Sequence, residues 1–397
     1  MSDRTRGLLL LVSLCASQVI SWGTLYYALP ATSTVIAAAT GWTVAAITTA
    51  FSAGLILSAV IGIPIGRLLD RVGPRRVMTA GTLLGTIGLV TVAAAPSPPL
   101  FAAAWCLTGI AQAATLYQAA FTVINKQYRQ HRARALTVLT LTAGLASTIF
   151  APIAAALTNA FGWRDSSLVL AGILLVAVTP IHAFLVPVYW PEHARTADAT
   201  ADPGRTRRII RSAPCLQVGI TGLALALYAA TLNLVPSLTS SGHTLAAATA
   251  AFGLVGIGQV AGRILFILPG ARTNGTLLVT IVAVAALILL ALVPRPFGVV
   301  VVIVLTAGAA RGALTLVQAS AVVDRWGTAG AGHLTAVFAA PVTIATAIAP
   351  AVGASLDAVL GTGGATILLA LVSAAGGASL IIGSRLRCRT AAECRTG

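Results

Sequence analysis

The chain has 397 residues, 57% of them hydrophobic and only 9% charged, with a mean hydropathy of +0.94. A soluble domain carries about 25% charged residues, and a chain of this length has too little interior to hide so much apolar sequence, so its solvent must be mostly lipid. The formal charge of +16 invites a nucleic-acid partner, but the cations sit in short turns between apolar runs, which makes them a topology signal and excludes that reading.

A spanning helix needs about 20 apolar residues. Twelve such runs follow one another near 7–29, 43–66, 76–95, 99–124, 135–160, 166–188, 214–237, 244–268, 273–293, 297–322, 332–356 and 363–384. The first is too long for a signal-peptide core and has Trp22, Tyr26 and Tyr27 where a small-residue cleavage site would stand, so it is expected to be retained. With the N-terminus inside, every one of the 25 Lys and Arg residues except Arg164, Arg295 and Arg311 falls on the same side. The positive-inside rule then predicts a multi-pass protein of the cell's inner (plasma) membrane with both termini in the cytoplasm.

Between the second and third runs lies Gly66-Arg67-Leu68-Leu69-Asp70-Arg71-Val72-Gly73-Pro74-Arg75-Arg76. Gly66 closes the apolar run, Asp70 can cap a helix start, and Gly73-Pro74 makes the turn. In form the stretch resembles the G-x-x-x-D-R-x-G-x-R-R signature of the major facilitator superfamily, the large family of twelve-helix secondary transporters. The resemblance implies a cytoplasmic gating loop built from Gly66, Asp70, Arg71, Gly73, Arg75 and Arg76. Ser21-Trp22-Gly23-Thr24-Leu25-Tyr26-Tyr27 and Gly162-Trp163-Arg164 look like a poorly characterised bacterial branch of that family, which includes carriers of small organic anions. The glycine run of drug–proton antiporters is mostly alanine here, between Gly144 and Ala154.

The chain also repeats itself. Gly41 to Phe51 matches Gly242 to Phe252, Thr115-Leu116-Tyr117-Gln118-Ala119 matches Thr315-Leu316-Val317-Gln318-Ala319, and Ala151-Pro152 matches Ala349-Pro350. A parallel repeat of two six-helix halves is what a major facilitator fold requires. The expected architecture is an all-α membrane protein with twelve transmembrane helices in two pseudo-symmetric halves, 1–190 and 214–384. A polar cytoplasmic linker, 191–213, would join them, and a cytoplasmic tail, 385–397, would follow. The signature decays in the second half, where Gly262-Arg263 survives and Phe266 replaces the acid. Glycines four apart (Gly62/Gly66, Gly81/Gly85, Gly258/Gly262, Gly308/Gly312) predict close helix crossings.

No constellation for catalysis is visible. All nine acidic residues fall in loops, at helix ends or in tails; no phosphate-binding loop occurs; the only lysine is Lys126. The five cysteines and five histidines have no ligand spacing, so neither a disulfide framework, a metal nor a cofactor is expected. His182, inside the sixth run, reads as a packed histidine.

Arg311 is the exception. It lies midway along the tenth run, where an arginine costs on the order of 3 kcal/mol to insert and no carboxylate within the membrane offers a partner. It reads either as a counter-charge for an anionic substrate or as a hydrogen-bond hub across the helix interface. Arg311, Thr315 and Gln318 share a helix face. Thr115 and Gln118, with Gln112 nearby, stand on the equivalent run, and Gln18, Trp22 and Tyr26 repeat along the first. Tyr228 and Asn233 are the polar candidates on the seventh. The family resemblance places runs 1, 4, 7 and 10 around a central cavity. The expectation is therefore a secondary transporter, not an enzyme, moving a small or amphiphilic organic anion by alternating access. A broad-specificity drug efflux carrier and a transporter-like receptor or scaffold are the alternatives. The expected partners are a small-molecule substrate and membrane lipid, with a monomeric chain, and no residue pattern names a coupling ion.

Overall fold

A backbone buried in lipid can satisfy its own N–H and C=O groups only as helix or closed barrel, and among its described residues this chain takes the helical solution. The computed structural model describes residues 3–128, 131–187, 214–267, 271–292, 296–321 and 331–393, among which there is no strand. The helices are α1 (Asp3–Trp22), α2 (Ala28–Thr40), α3 (Val44–Val72), α4 (Pro74–Ala94), α5 (Pro98–Thr115), α6 (Tyr117–Gln127), α7 (Arg132–Gly144) and α8 (Ala146–Ile173). They continue as α9 (Pro214–Leu232), α10 (Leu234–Ser240), α11 (Leu245–Ile267), α12 (Ala271–Leu292), α13 (Phe297–Ala321) and α14 (Ala331–Glu393). A π-helical turn, Gly23–Tyr27, joins α1 to α2, and two more, Leu174–Val178 and Ile181–Leu185, follow α8.

Among the described residues nine stretches are long and apolar enough to cross a membrane, and Leu277–Leu292 is a shorter apolar helix. Two of the nine, Arg134–Leu185 and Phe338–Ile382, are broken in their middle by a glycine in a conformation closed to other residues: Gly162 at φ 80, ψ 166 and Gly361 at φ 70, ψ 166. Each holds two spans, and the described residues thereby supply the twelve that the sequence predicts. The linker falls among the residues outside the described set, as does Cys394; the backbone of the tail continues α14 to Glu393.

The left-handed glycines reproduce the internal repeat. Gly41 and Gly242 (φ 74 and 91) are repeat partners, and Gly162 and Gly361 end corresponding spans. So do the closest backbone approaches. In the first half a Cβ on Gly109 would stand 2.1 Å from the Gly54 carbonyl oxygen; in the second, a Cβ on Gly262 would stand 2.0 Å from that of Ala309. The α11–α13 seam is the one that the Gly258/Gly262 and Gly308/Gly312 spacing predicts, a backbone contact only glycine permits, whereas the α3–α5 seam uses Gly54 and Gly109, and Gly62 and Gly66 instead face the Gln118 side chain.

By contact, the chain forms two compact units. One comprises Met1–Pro191, Leu232–Ile257 and Pro350–Ser355; the other Glu192–Thr231, Gly258–Ala349 and Leu356–Gly397. The first unit thus recruits parts of α11 and α14 from the second half of the sequence. Inside it, Thr148 Oγ1 donates to the Gly253 carbonyl at 2.7 Å, the Ala351 amide donates to Ser52 Oγ at 3.1 Å, and Tyr27 meets Phe252 with ring centroids 6.0 Å apart. Its core is Leu14, Leu69, Met78, Val123, Ile124 and Leu139. The second unit packs around Leu223, Leu227, Ala283, Ala310 and Leu314.

Candidate functional site

Arg311 sits in α13 fourteen residues after its start, about 21 Å along the axis at 1.5 Å per residue. It is 2% exposed, the bulkiest side chain among those fully enclosed. Its guanidinium carbon lies 3.7 Å from the centroid of the Tyr228 ring, and Nη1 donates to Thr231 Oγ1 at 2.9 Å. Both partners come from α9, three residues apart on one face. A desolvated cation over an aromatic face contributes about 2 kcal/mol, and the hydroxyl adds a charged hydrogen bond. These contacts hold the guanidinium in place.

Beside it is a cavity of about 100 Å³, lined by Tyr228, Arg311, Thr315, Gln318, Thr343 and Thr346, with Ala224, Leu314 and Val342 as the apolar wall. Four of the residues singled out in the sequence meet here, all in the second unit. The three threonine hydroxyls donate to carbonyls of their own helices: Thr315 to Gly312 at 2.6 Å, Thr343 to Ala339 and Thr346 to Thr343, both at 3.0 Å. Their protons are engaged, and the oxygen lone pairs are what they can offer a ligand. The side-chain amide of Gln318 makes no hydrogen bond to any described residue. The lining thus combines a cationic donor with hydroxyl oxygens that can accept.

The candidates on the first half are placed differently. Gln18 is fully buried and donates from Nε2 to the Thr115 carbonyl at 2.7 Å; Gln112 donates to Leu25 at 2.9 Å and Gln118 to Gly62 at 2.7 Å. Two of these carbonyls sit at irregularities. Leu25 lies within the π turn, and α5 ends at Thr115, where extended Leu116 (φ −79, ψ −159) interrupts the ladder. Because of that break, Thr115 and Gln118 do not lie on one continuous helix, as the spacing predicts they would. Thr115 is itself fully buried and donates to Ala111. Trp22 and Tyr26 pack edge to face at 5.0 Å, within a cluster that includes Tyr27, Phe51 and Tyr117. Asn233 occupies the break between α9 and α10 and donates to Pro350 at 3.1 Å.

In the signature loop, Gly73 adopts φ 89, ψ 156 and Pro74 opens α4, the N1 position where its missing N–H costs nothing. Arg75 donates from Nε to Val186 at 2.6 Å and from Nη2 to Phe184 at 3.0 Å, capping the end of the sixth span. Gly66 faces the Gln118 amide, Arg71 and Arg76 are exposed, and the Asp70 side chain lies outside the described set. His182 is fully enclosed, its Nδ1 2.7 Å from Thr82 Oγ1, as a packed histidine should be.

Sequence reasoning missed Thr231, Thr343 and Thr346, whose only signal is a position one or two turns along a helix from a polar neighbour. Arg263, counted with the cytoplasmic-side cations within the run 244–268, is 7% exposed in α11. Arg164, expected in an outer turn, donates to the Ala93 and Ala95 carbonyls at the end of α4 and lies 4.4 Å above the Trp163 ring.

Comparison with known proteins fits this arrangement. A 147-residue stretch is 31% identical to an uncharacterised 38 kDa protein in the 23S RNA operon of Thermoproteus tenax, covering 37% of this chain and 38% of that relative's length. In fold, the chain is similar to a bacterial homologue of the human lysosomal transporter Spinster. Against its inward-facing occupied form the TM-score is 0.71 over 97% of this chain and 96% of the other; against the unoccupied form it is 0.69 over 96% of each, both at 16% identity. The profile of the Major Facilitator Superfamily matches residues 14–350, and with twelve helical spans and an internal six-helix repeat the chain belongs to that family of multi-pass membrane transporters.

Proposed function

We propose that the protein carries a small organic anion across the inner (plasma) membrane by alternating access, with Arg311 as the charge that holds it. The observation that carries this reading is the enclosed, mid-membrane guanidinium of Arg311 beside a cavity that Thr315, Gln318, Thr343 and Thr346 also line. Arginine suits the task because its planar fork grips a carboxylate through two parallel hydrogen bonds. Tyr228 and Thr231 serve as its positioning residues.

The test is Arg311→Gln measured for ligand binding and melting temperature on the same purified protein, screened against organic anions and cationic drugs in parallel. Loss of anion affinity by about a hundredfold or more, with the fold intact, is expected for removing a charged hydrogen-bond pair. Arg311→Lys should restore only part of it, since a point charge cannot reproduce the fork. A variant that melts early yet still binds its anion would remove Arg311 from the site and leave it a structural hub.

The orientation with both termini in the cytoplasm rests on the cation distribution. Membrane-impermeant thiol reagents applied to intact cells should miss Cys388 and Cys394; strong labelling from outside would invert the topology.

A further inference from the structure

A second, larger cavity of about 720 Å³ lies wholly within the first unit, far in sequence from Arg311. It is bounded by the first two turns of α1, the first turn of α4, the end of α6 with Tyr128 after it, and the end of the sixth span, so it opens at one end of the helices, where membrane meets water. Its lining joins two chemistries. Arg6 and Arg75 bring two guanidiniums, with Gln127 and Tyr128 beside them, while Leu9 and Phe184 bring apolar surface. Phe184 is 74% exposed and Leu9 43%, and Leu8 next to the cavity is 64% exposed. In a membrane protein such side chains at a span's end face acyl chains.

The parts are held in place by the fold. Arg75 is anchored by the Val186 and Phe184 carbonyls, and the Tyr128 hydroxyl donates to the Gly7 carbonyl, tying the α6–α7 connection to the start of α1. Arg75 has five N–H donors, two of which serve those carbonyls, so others remain for an anion in the cavity that it lines. Arg6 is exposed in its helix. A pair of cations set in an apolar rim is complementary to an anionic head carrying apolar tails. A soluble anion would gain nothing from Leu9 and Phe184.

We infer that this cavity binds the headgroup of an anionic phospholipid, with the phosphate between Arg6 and Arg75 and the acyl chains along Leu9 and Phe184. Basic pockets between spans at the membrane surface hold such headgroups in general. The site does not depend on the Arg311 reading: it lies in the other unit and takes a lipid, not the transported solute.

The experiment is native mass spectrometry of the full-length protein in detergent, titrated with phosphatidylglycerol and, separately, with phosphatidylcholine of the same acyl chains. Wild type should retain phosphatidylglycerol at least several-fold more strongly. Arg6→Gln should reduce that retention about fivefold, since each cation near a membrane surface is worth about 1 kcal/mol, and Arg6→Glu should reduce it further. Phosphatidylcholine adducts and the melting temperature should not change, because Arg6 is exposed and Arg75 with its anchoring bonds is left intact. Phe184→Ser should weaken retention of both lipids. Equal binding of the two lipids by wild type, or an unchanged preference in Arg6→Glu, would overturn the assignment. So would displacement of phosphatidylglycerol by free glycerol phosphate at comparable concentration, which would make this a site for a soluble anion.

Discussion

The fourth and tenth spans are repeat partners, and comparing them shows how one sequence motif serves two ends. Both carry Thr-Leu-x-Gln-Ala, at Thr115–Ala119 and Thr315–Ala319. At the position four residues before the threonine the first has Ala111, fully buried, and the second Arg311, 2% exposed. In the fourth span the helix breaks at Leu116, and Gln118 turns to the Gly62 carbonyl while Gln18 reaches the Thr115 carbonyl. In the tenth, α13 runs unbroken from Phe297 to Ala321, and Thr315 and Gln318 line the Arg311 cavity. A glutamine amide beside an irregular backbone satisfies that backbone; the same amide beside a regular helix and a buried cation is available to a ligand. The lesson is that polarity within a span does not identify a binding face. What matters is whether the local backbone already claims it.

The largest effect should come from what the two halves share. Gly109→Val would drive a branched side chain into the Gly54 carbonyl, and Gly262→Val would do the same against Ala309. Backbone cannot yield as a side-chain tip can, so each should cost about 3 kcal/mol, read as a large drop in melting temperature and a loss of monodisperse protein. If one variant folds normally and the other does not, the tight seam belongs to one half alone and the repeat is a matter of sequence, not packing.

The fold was legible because its determinants are local or periodic. Apolar run length, cation placement and turn glycines act within about 20 residues, and the repeat shows itself as matched letters. Gly41, Gly73, Gly162, Gly242 and Gly361 even mark where the chain must take a left-handed or extended-left turn. The site was legible only in part. Arg311 stands out since any cation at that depth demands an explanation, Thr315 and Gln318 follow from helical spacing, and Tyr228 from being one of two polar candidates on the seventh run. Thr343 and Thr346 were not legible, because they come from α14, whose register against α13 no local pattern states. The engagement of Gln18, Gln112 and Asn233 was hidden for a related reason. It depends on the π turn at Gly23–Tyr27 and the breaks at Leu116 and Asn233; Pro30 and Pro236 free the carbonyls of Tyr26 and Leu232 at two of these places, but nothing announces the break at Leu116. Gly262, by contrast, was legible as a close helix crossing, and it meets the Ala309 backbone as its spacing predicts.

The smaller and more discriminating prediction makes one substitution at both repeat positions. Gln118→Leu removes the donor to Gly62, a contact between the fourth span and α3 at 2.7 Å. It should lower stability by about 1 kcal/mol and leave anion affinity where it was, since nothing near Arg311 changes. Gln318→Leu removes an amide that bonds no described residue and lines the cavity. It should leave the melting temperature within a degree or two of wild type while weakening the anion about tenfold, the scale of one hydrogen bond to a charged ligand. Volume is nearly conserved in both, so packing contributes little to either difference. The pair is read as a crossed result: stability lost without affinity at one position, affinity lost without stability at the other. If Gln318→Leu melts early and Gln118→Leu loses affinity, the roles of the two spans are reversed and the binding face lies on the fourth. If both change only stability, the amides are structural in each half, and the cavity at Arg311 takes its ligand through the guanidinium and the threonine oxygens alone.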